Sequence, residues 1–139
     1  MSEPERNKHA VRDFIEAVWV RRDLERLPEF WTADCLNHAA SGARGLEALR
    51  AYHAGFFAAF DAFSDVTLEL PQQVAEGDWV TTRIVARGTH TAEFMGLAPT
   101  GRPIALETVR LDRLEGGRIA EHRSVADLAG LMAQLQGVG

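Results

Sequence analysis

The chain reads as an α+β domain in which helices pack on one face of a strongly curved antiparallel sheet, leaving a conical internal cavity between helices and sheet. Three observations predict this. Apolar residues recur at helical spacing through the first half, as in Val11, Phe14, Ile15, Val18 and Trp19. They alternate through the second half, as in Val80, Thr82, Ile84 and Ala86. Helices first and strands afterwards, with no alternation of the two, is the α+β order.

The first helix ends near Arg22-Asp23. Leu24, Leu27, Phe30 and Trp31 suggest a second, short helix with Asp23 as a candidate N-cap. Residues 32–44 read as irregular. A third helix is expected from about Gly45 to Phe63, with Leu46, Leu49, His53, Phe56, Phe57 and Phe60 on one side. Five of the seven phenylalanines lie between Phe56 and Phe94, so this helix should wall the core. Val66, Leu68 and Leu70 then alternate, and Pro71 marks an edge strand or a bulge. Glu76-Gly77-Asp78 is a turn, the strand beginning near Val80 runs to His90, and a longer loop spans 91–103. A hairpin follows, and Leu128, Leu131, Met132 and Leu135 form a closing helix.

The 139 residues suffice for one domain, 1–139, with a real core. Hydrophobic residues are 46% and charged residues 25%, an ordinary soluble balance. The net charge of −5 argues against nucleic acid or an acidic membrane as partner. With no apolar run of bilayer length and a polar N-terminus, the expected location is cytoplasmic. Cys35, the single cysteine, can form no internal disulfide, lacks zinc-site partners and is expected in the core.

The hairpin carries charge on a face that should be apolar. A three-residue loop, Glu115-Gly116-Gly117, would pair Leu111 with Glu121, Val109 with Arg123 and Glu107 with Val125. Leu111, Val109, Ile119 and Val125 then share the inner face with Glu107, Glu121 and Arg123. Asp112, Arg110, Thr108, His122 and Ser124 would face water. Glu107 and Arg123, diagonal neighbours roughly 7–8 Å apart, are either a structural ion pair or pocket residues.

Local sequences join this order of elements. They are Val74-Ala75-Glu76-Gly77-Asp78-Trp79-Val80, Arg87-Gly88-Thr89-His90-Thr91, Glu93-Phe94, Gly96-Leu97, Pro99-Thr100-Gly101-Arg102-Pro103, Gly117-Arg118-Ile119, Glu121-His122 and Val125-Ala126-Asp127. Together the chain resembles the SnoaL-like polyketide cyclases, or ester cyclases, of the nuclear-transport-factor-2-like superfamily. The resemblance implies a cone-shaped α+β barrel, a homodimer or homotetramer assembled through the sheet, and catalysis with no cofactor and no metal. It also implies an aspartate near the end of the last strand acting as acid and base in an intramolecular aldol closure, a position matched here by Asp127. Arg123 stands where the family frequently has tryptophan.

Asp127 is therefore a candidate catalytic residue, although an aspartate before Leu128 also suits an N-cap. His90, at a strand end, and His38, after the second helix, are candidates for proton transfer. The alternative for His90 is a loop histidine bonded to backbone. Arg123 and Glu107, with His53, Phe56 and Phe60 from the third helix, are the candidate substrate-binding residues; His53 is equally readable as a hydrogen-bonded core histidine. His122 is expected on the outer face. The five histidines form no metal-ligand spacing. The functional expectation is a cofactor-independent cyclase or isomerase acting on a small hydrophobic, polyketide-like carbonyl compound. The alternatives are an epoxide-opening hydrolase using Glu107 and Asp127 around Arg123, and a non-catalytic binding or dimerising module.

Overall fold

A computed structural model describes residues 1–137. Helix α1 (Glu3–Phe14) starts where the Ser2 hydroxyl accepts the Glu5 N–H, with Glu3 and Glu5 placing negative charge at the positive end of its dipole. The helical path then widens into a π-helical segment, Ile15–Val20, closed by the Arg21 N–H bonding the Glu16 carbonyl. A 3₁₀ turn (Leu24–Arg26) and a single turn, α2 (Leu27–Phe30), lead to strand β1 (Trp31–Asn37). Asp23 precedes the 3₁₀ turn but its side chain makes no capping bond. A short strand β2 (Ala43–Arg44) precedes α3 (Leu46–Phe60), which buries Leu49, His53 and Phe57 at intervals of one helical turn. Strands β3 (Phe63–Glu76), β4 (Trp79–His90), β5 (Pro103–Glu115) and β6 (Arg118–Ala126) follow, and α4 (Leu128–Gln136) closes the order.

The six strands form one mixed sheet in the order β2-β1-β6-β5-β4-β3. This corrects two expectations. The sheet is not wholly antiparallel, because β1 runs parallel to β6, and its order ends on two different edge strands rather than closing. Residues 32–37 are strand and not irregular, and Trp31 begins that strand rather than ending the second helix; the mixed segment WTADCLN hides the alternation because its pairing with β6 shifts register between Trp31 and Leu36. Pro71 does lie at an edge: β3 is the last strand, and its pairing breaks between Glu69 and Gln72.

The hairpin register is also corrected. Gly116 and Gly117 both have positive φ, 56° and 80°, and form a two-residue turn between Glu115 and Arg118. Leu114 lies opposite Ile119, but Arg113 lies opposite Glu121, so Ala120 is an extra residue on β6. The bulge buries Ile119 and Ala120 together and changes the facing of every residue beyond them. Asp112 then pairs with His122, Arg110 with Ser124 and Thr108 with Ala126. Arg110, Asp112 and His122 are buried, whereas Val109, Leu111 and Val125 are exposed on the outer face.

Two clusters make the core. The larger joins Val11, Phe14, Val18, Trp31, Leu49 and Phe57 to Val80, Leu114 and Ile119, and includes Cys35 at 1% exposure. The smaller joins Phe63, Phe94, Ile104 and Leu106 to Leu131 and Leu135 of α4. The α4 helix is also tied to β5 by Gln134, whose side chain accepts the Ala105 N–H at 2.7 Å and donates to the Ala105 carbonyl at 2.9 Å. Leu131 is fully buried, so Leu131→Ala should cost about 2–5 kcal/mol in urea unfolding. A loss under 1 kcal/mol would mean that α4 is not part of the folding unit.

Candidate functional site

A cavity of about 310 Å³ lies between the helices and the inner face of the sheet. The helical side contributes Ile15 and Trp19 from the π segment and Tyr52, His53, Phe56, Phe57 and Phe60 from α3. Phe56 and Phe60 stack at 4.4 Å, and Trp19 meets Phe56 edge-on at 4.6 Å, giving a rigid aromatic wall. The sheet side contributes Ile84, Leu106, Thr108, Arg110, His122 and Ser124. An apolar pocket with a few converging polar groups is the usual form of a small-molecule site.

The polar groups converge at one place on the sheet. Asp112, fully buried, receives the Arg110 guanidinium through two hydrogen bonds, Nε to Oδ2 at 2.7 Å and Nη2 to Oδ1 at 3.0 Å. Directly across the strands, His122 Nδ1 lies 2.8 Å from Asp112 Oδ1. Burial alone pushes the Asp112 carboxyl up, but Arg110 and His122 together reverse this and hold it below the ordinary carboxylate range. An ionised carboxylate only accepts hydrogen bonds, so Nδ1 of His122 carries the proton and Nε2 keeps its lone pair. Burial, with Arg110 nearby, pushes the His122 ring below its usual titration against the opposing pull of Asp112. The imidazole is therefore neutral at neutral pH and oriented by a buried carboxylate. Arg110 also packs over the Phe14 ring at 5.0 Å, and His122 meets Trp31 edge-on at 5.7 Å, which fixes both side chains.

A second neutral imidazole borders the cavity. His53 Nδ1 lies 2.9 Å from the Leu49 carbonyl and donates to it, leaving Nε2 as its acceptor. Burial pushes His53 down to about 4, partly opposed by the Leu49 bond and helped by the positive charge of Arg110. Burial likewise raises the neighbouring Tyr52 hydroxyl, which stays protonated at neutral pH.

The sequence-derived candidates separate into two groups. His53, Phe56 and Phe60 line the cavity. The other five do not. Asp127 caps α4, accepting the Gly130 N–H at 2.9 Å. Glu107 lies on the outer face, paired with Arg83, and Arg123 shares that face opposite Leu111. The expected Glu107–Arg123 pair is thus not formed: the two-residue turn faces Glu107 outward, the bulge faces Arg123 outward, and the register sets Arg123 opposite Leu111 while Glu107 pairs with Arg83. His90 is fully buried, but its Nδ1 accepts the Thr100 N–H at 3.2 Å and pins the 91–102 loop. His38 binds Glu121 at 2.7 Å, and Glu121 also receives Arg113 at 3.1 Å. No group of three His, Cys, Asp or Glu side chains is placed to hold a metal ion among the described residues, and no helix there is long and apolar enough to cross a membrane.

Arg110, Asp112 and His122 were missed because their alternation with Val109, Leu111 and Arg123 reads as a wet strand face. The Gly-Gly pair, which favours a two-residue turn, signals the inward facing of Arg110 and Asp112; His122 turns inward only through the Ala120 bulge, for which the sequence offered no signal.

His53 makes the fold acid-sensitive. Its folded value, about 4, lies below the ordinary 6.5. The unfolded chain therefore takes up a proton as the pH falls through 6.5 while the folded chain does not. Stability is full above that pH and declines towards pH 4, by about 3 kcal/mol for this one group. His122 is shifted in the same direction. Urea unfolding of the wild type should weaken across that window, and His53→Gln should remove much of the slope; an unchanged slope would contradict the buried neutral ring.

The fold agrees with what the chain is similar to. The SnoaL-like polyketide cyclase family matches residues 9–135. The aklanonic acid methyl ester cyclase DnrD of Streptomyces peucetius is 32% identical over 129 residues, covering 90% of this chain and 87% of that protein. AcmA of Streptomyces galilaeus, also an aklanonic acid methyl ester cyclase, is 41% identical over 58 residues, so the match spans less than half of either chain, 42% of this one and 40% of that one. The crystal structure of IdmH from Streptomyces antibioticus superposes with a TM-score of 0.77 at 32% identity, covering 97% of this chain and 99% of that one. The chain belongs to the SnoaL-like polyketide cyclase family.

Proposed function

We propose that the protein is a cofactor-independent cyclase that closes a ring in a polyketide-like carbonyl compound by intramolecular aldol addition, with His122 as the base. The observation that carries this reading is the His122–Asp112–Arg110 cluster at the wall of an apolar cavity. Nε2 of His122 takes a proton from a carbon next to a carbonyl, and the C–H electron pair moves into the enolate. The enolate carbon bonds to a second carbonyl carbon, whose π pair becomes an alkoxide. The imidazolium returns its proton to that alkoxide, so the product is an isomer of the substrate. Asp112 stabilises the transient imidazolium and fixes the tautomer, the role a buried carboxylate plays behind other catalytic histidines. Arg110 keeps Asp112 ionised.

The hydrolase alternative needs two carboxylates facing one water. Glu107 and Asp127 are both engaged outside the cavity, and no aspartate or glutamate lines it among the described residues. A neutral imidazole backed by a buried ion pair at the cavity wall favours catalysis over a purely binding module, because perturbed titratable groups in a cleft concentrate at functional sites. The names of the matched relatives make aklanonic acid methyl ester the first compound to test.

In assays on that ester and related linear polyketide esters, His122→Gln should lower kcat by about 10²–10⁴ with the fold intact. Asp127→Asn should leave kcat within a few-fold and lower stability by about 1 kcal/mol, the loss of a helix cap. Full turnover by His122→Gln, or loss of turnover in Asp127→Asn alone, would reverse the assignment. Labelled oxygen from water appearing in the product would favour the hydrolase.

A further inference from the structure

Three arginines line the cavity, Arg22, Arg87 and Arg110, and no aspartate or glutamate lines it among the described residues; the carboxylates that pair with them, Asp61, Glu69 and Asp112, lie outside that lining. Arg110 is committed to Asp112 by two of its nitrogens. Arg87 uses Nε on Glu69 at 3.1 Å. Arg22 is different. Its guanidinium stands 4.4 Å from the Phe57 ring centroid, and Nη1 donates to Asp61 at 2.9 Å. Those two contacts hold the plane of the group while Nε and Nη2 remain for another partner. Its side chain is 44% exposed yet borders the cavity, which places it at the open end.

The backbone supplies a separate observation. Arg22 has φ of 59°, at the left-handed residue that ends the helical run, where glycine is the usual occupant. A non-glycine residue there is disfavoured locally and is retained where the surrounding structure or a function fixes it. From this position the Arg22 guanidinium lies over Phe57 at the border of the cavity.

We propose that Arg22 is a specificity-determining residue at the cavity mouth, and that the ligand carries a planar two-oxygen anion, a carboxylate or a dicarbonyl enolate, seated on its Nε–Nη2 edge. A guanidinium fork matches two coplanar oxygens, whereas an ammonium offers one point charge. The inference rests on the cavity being the substrate site, and it assigns the substrate an acidic group besides its reacting carbonyls.

The test compares two probes of the same shape, 2-naphthoate and methyl 2-naphthoate, by calorimetric titration. The wild type should bind the carboxylate about tenfold more tightly than the ester, the size of one charge-assisted contact at a partly exposed site. Arg22→Gln should abolish that preference without weakening the ester, and Arg22→Lys should restore only part of it. Equal binding of the two probes by the wild type, no measurable naphthoate binding, or an undiminished preference in Arg22→Gln would overturn the proposal. His122→Gln should keep the preference, because the readout is binding alone. A failure of the cyclase reading therefore shows in turnover and leaves this result standing.

Discussion

The structure depends on one demand: the Asp112 carboxylate is fully buried and must be compensated where it stands. Arg110, two residues along the same strand, meets it with a two-bond fork, and His122 meets it from the neighbouring strand. Both partners need the inward face of the hairpin at matched positions. Strict alternation from the Gly116-Gly117 turn would put Ile119 inside and His122 outside. The extra residue Ala120 lets both be inside. The bulge is therefore a condition of the cluster and not an irregularity beside it.

Around that cluster the helices supply an apolar surround. The π segment and α3 present Trp19, Phe56, Phe57 and Phe60 as a wall of interlocking rings, and Trp31 at the start of β1 packs edge-on against His122. Low polarity next to a fixed ion pair has two consequences. It lowers the proton affinity of His122 and His53, so that both imidazoles are neutral near pH 7. It also strengthens whatever hydrogen bonds a ligand makes there. The same burial that shapes a base thus makes the fold sensitive to acid.

Much of the scaffold was legible. The helical spacing of Val11 to Trp19, the breaks at Pro71 and Gly77, and the cap at Asp127 are local effects that local residues determine. The family resemblance rested on motifs spread over the chain, and the match over residues 9–135 supports it. The parallel pairing of β1 was not legible, because it joins segments about ninety residues apart through a broken register. The facing of the hairpin was misread for a sharper reason. Val109, Leu111 and Val125 were placed inside because they are apolar, and Arg110, Asp112 and His122 outside because they are charged. A polar cluster that satisfies itself inverts that rule, and nothing in a single strand's composition reveals that its charges have partners across the sheet. Asp127 shows the converse: its place before an apolar helical run fits a cap, and a cap is where it sits.

The central claim, a neutral His122 held in one tautomer by Asp112, is open to direct observation. Long-range proton–nitrogen correlation on nitrogen-15-labelled protein reports the protonation of each ring nitrogen, and a titration from about pH 8 to about pH 4 follows it. The account predicts a protonated Nδ1 and a bare Nε2 for His122 at neutral pH, with titration below the ordinary histidine range. A protonated Nε2 with a bare Nδ1, or a ring already charged at neutral pH, would contradict it.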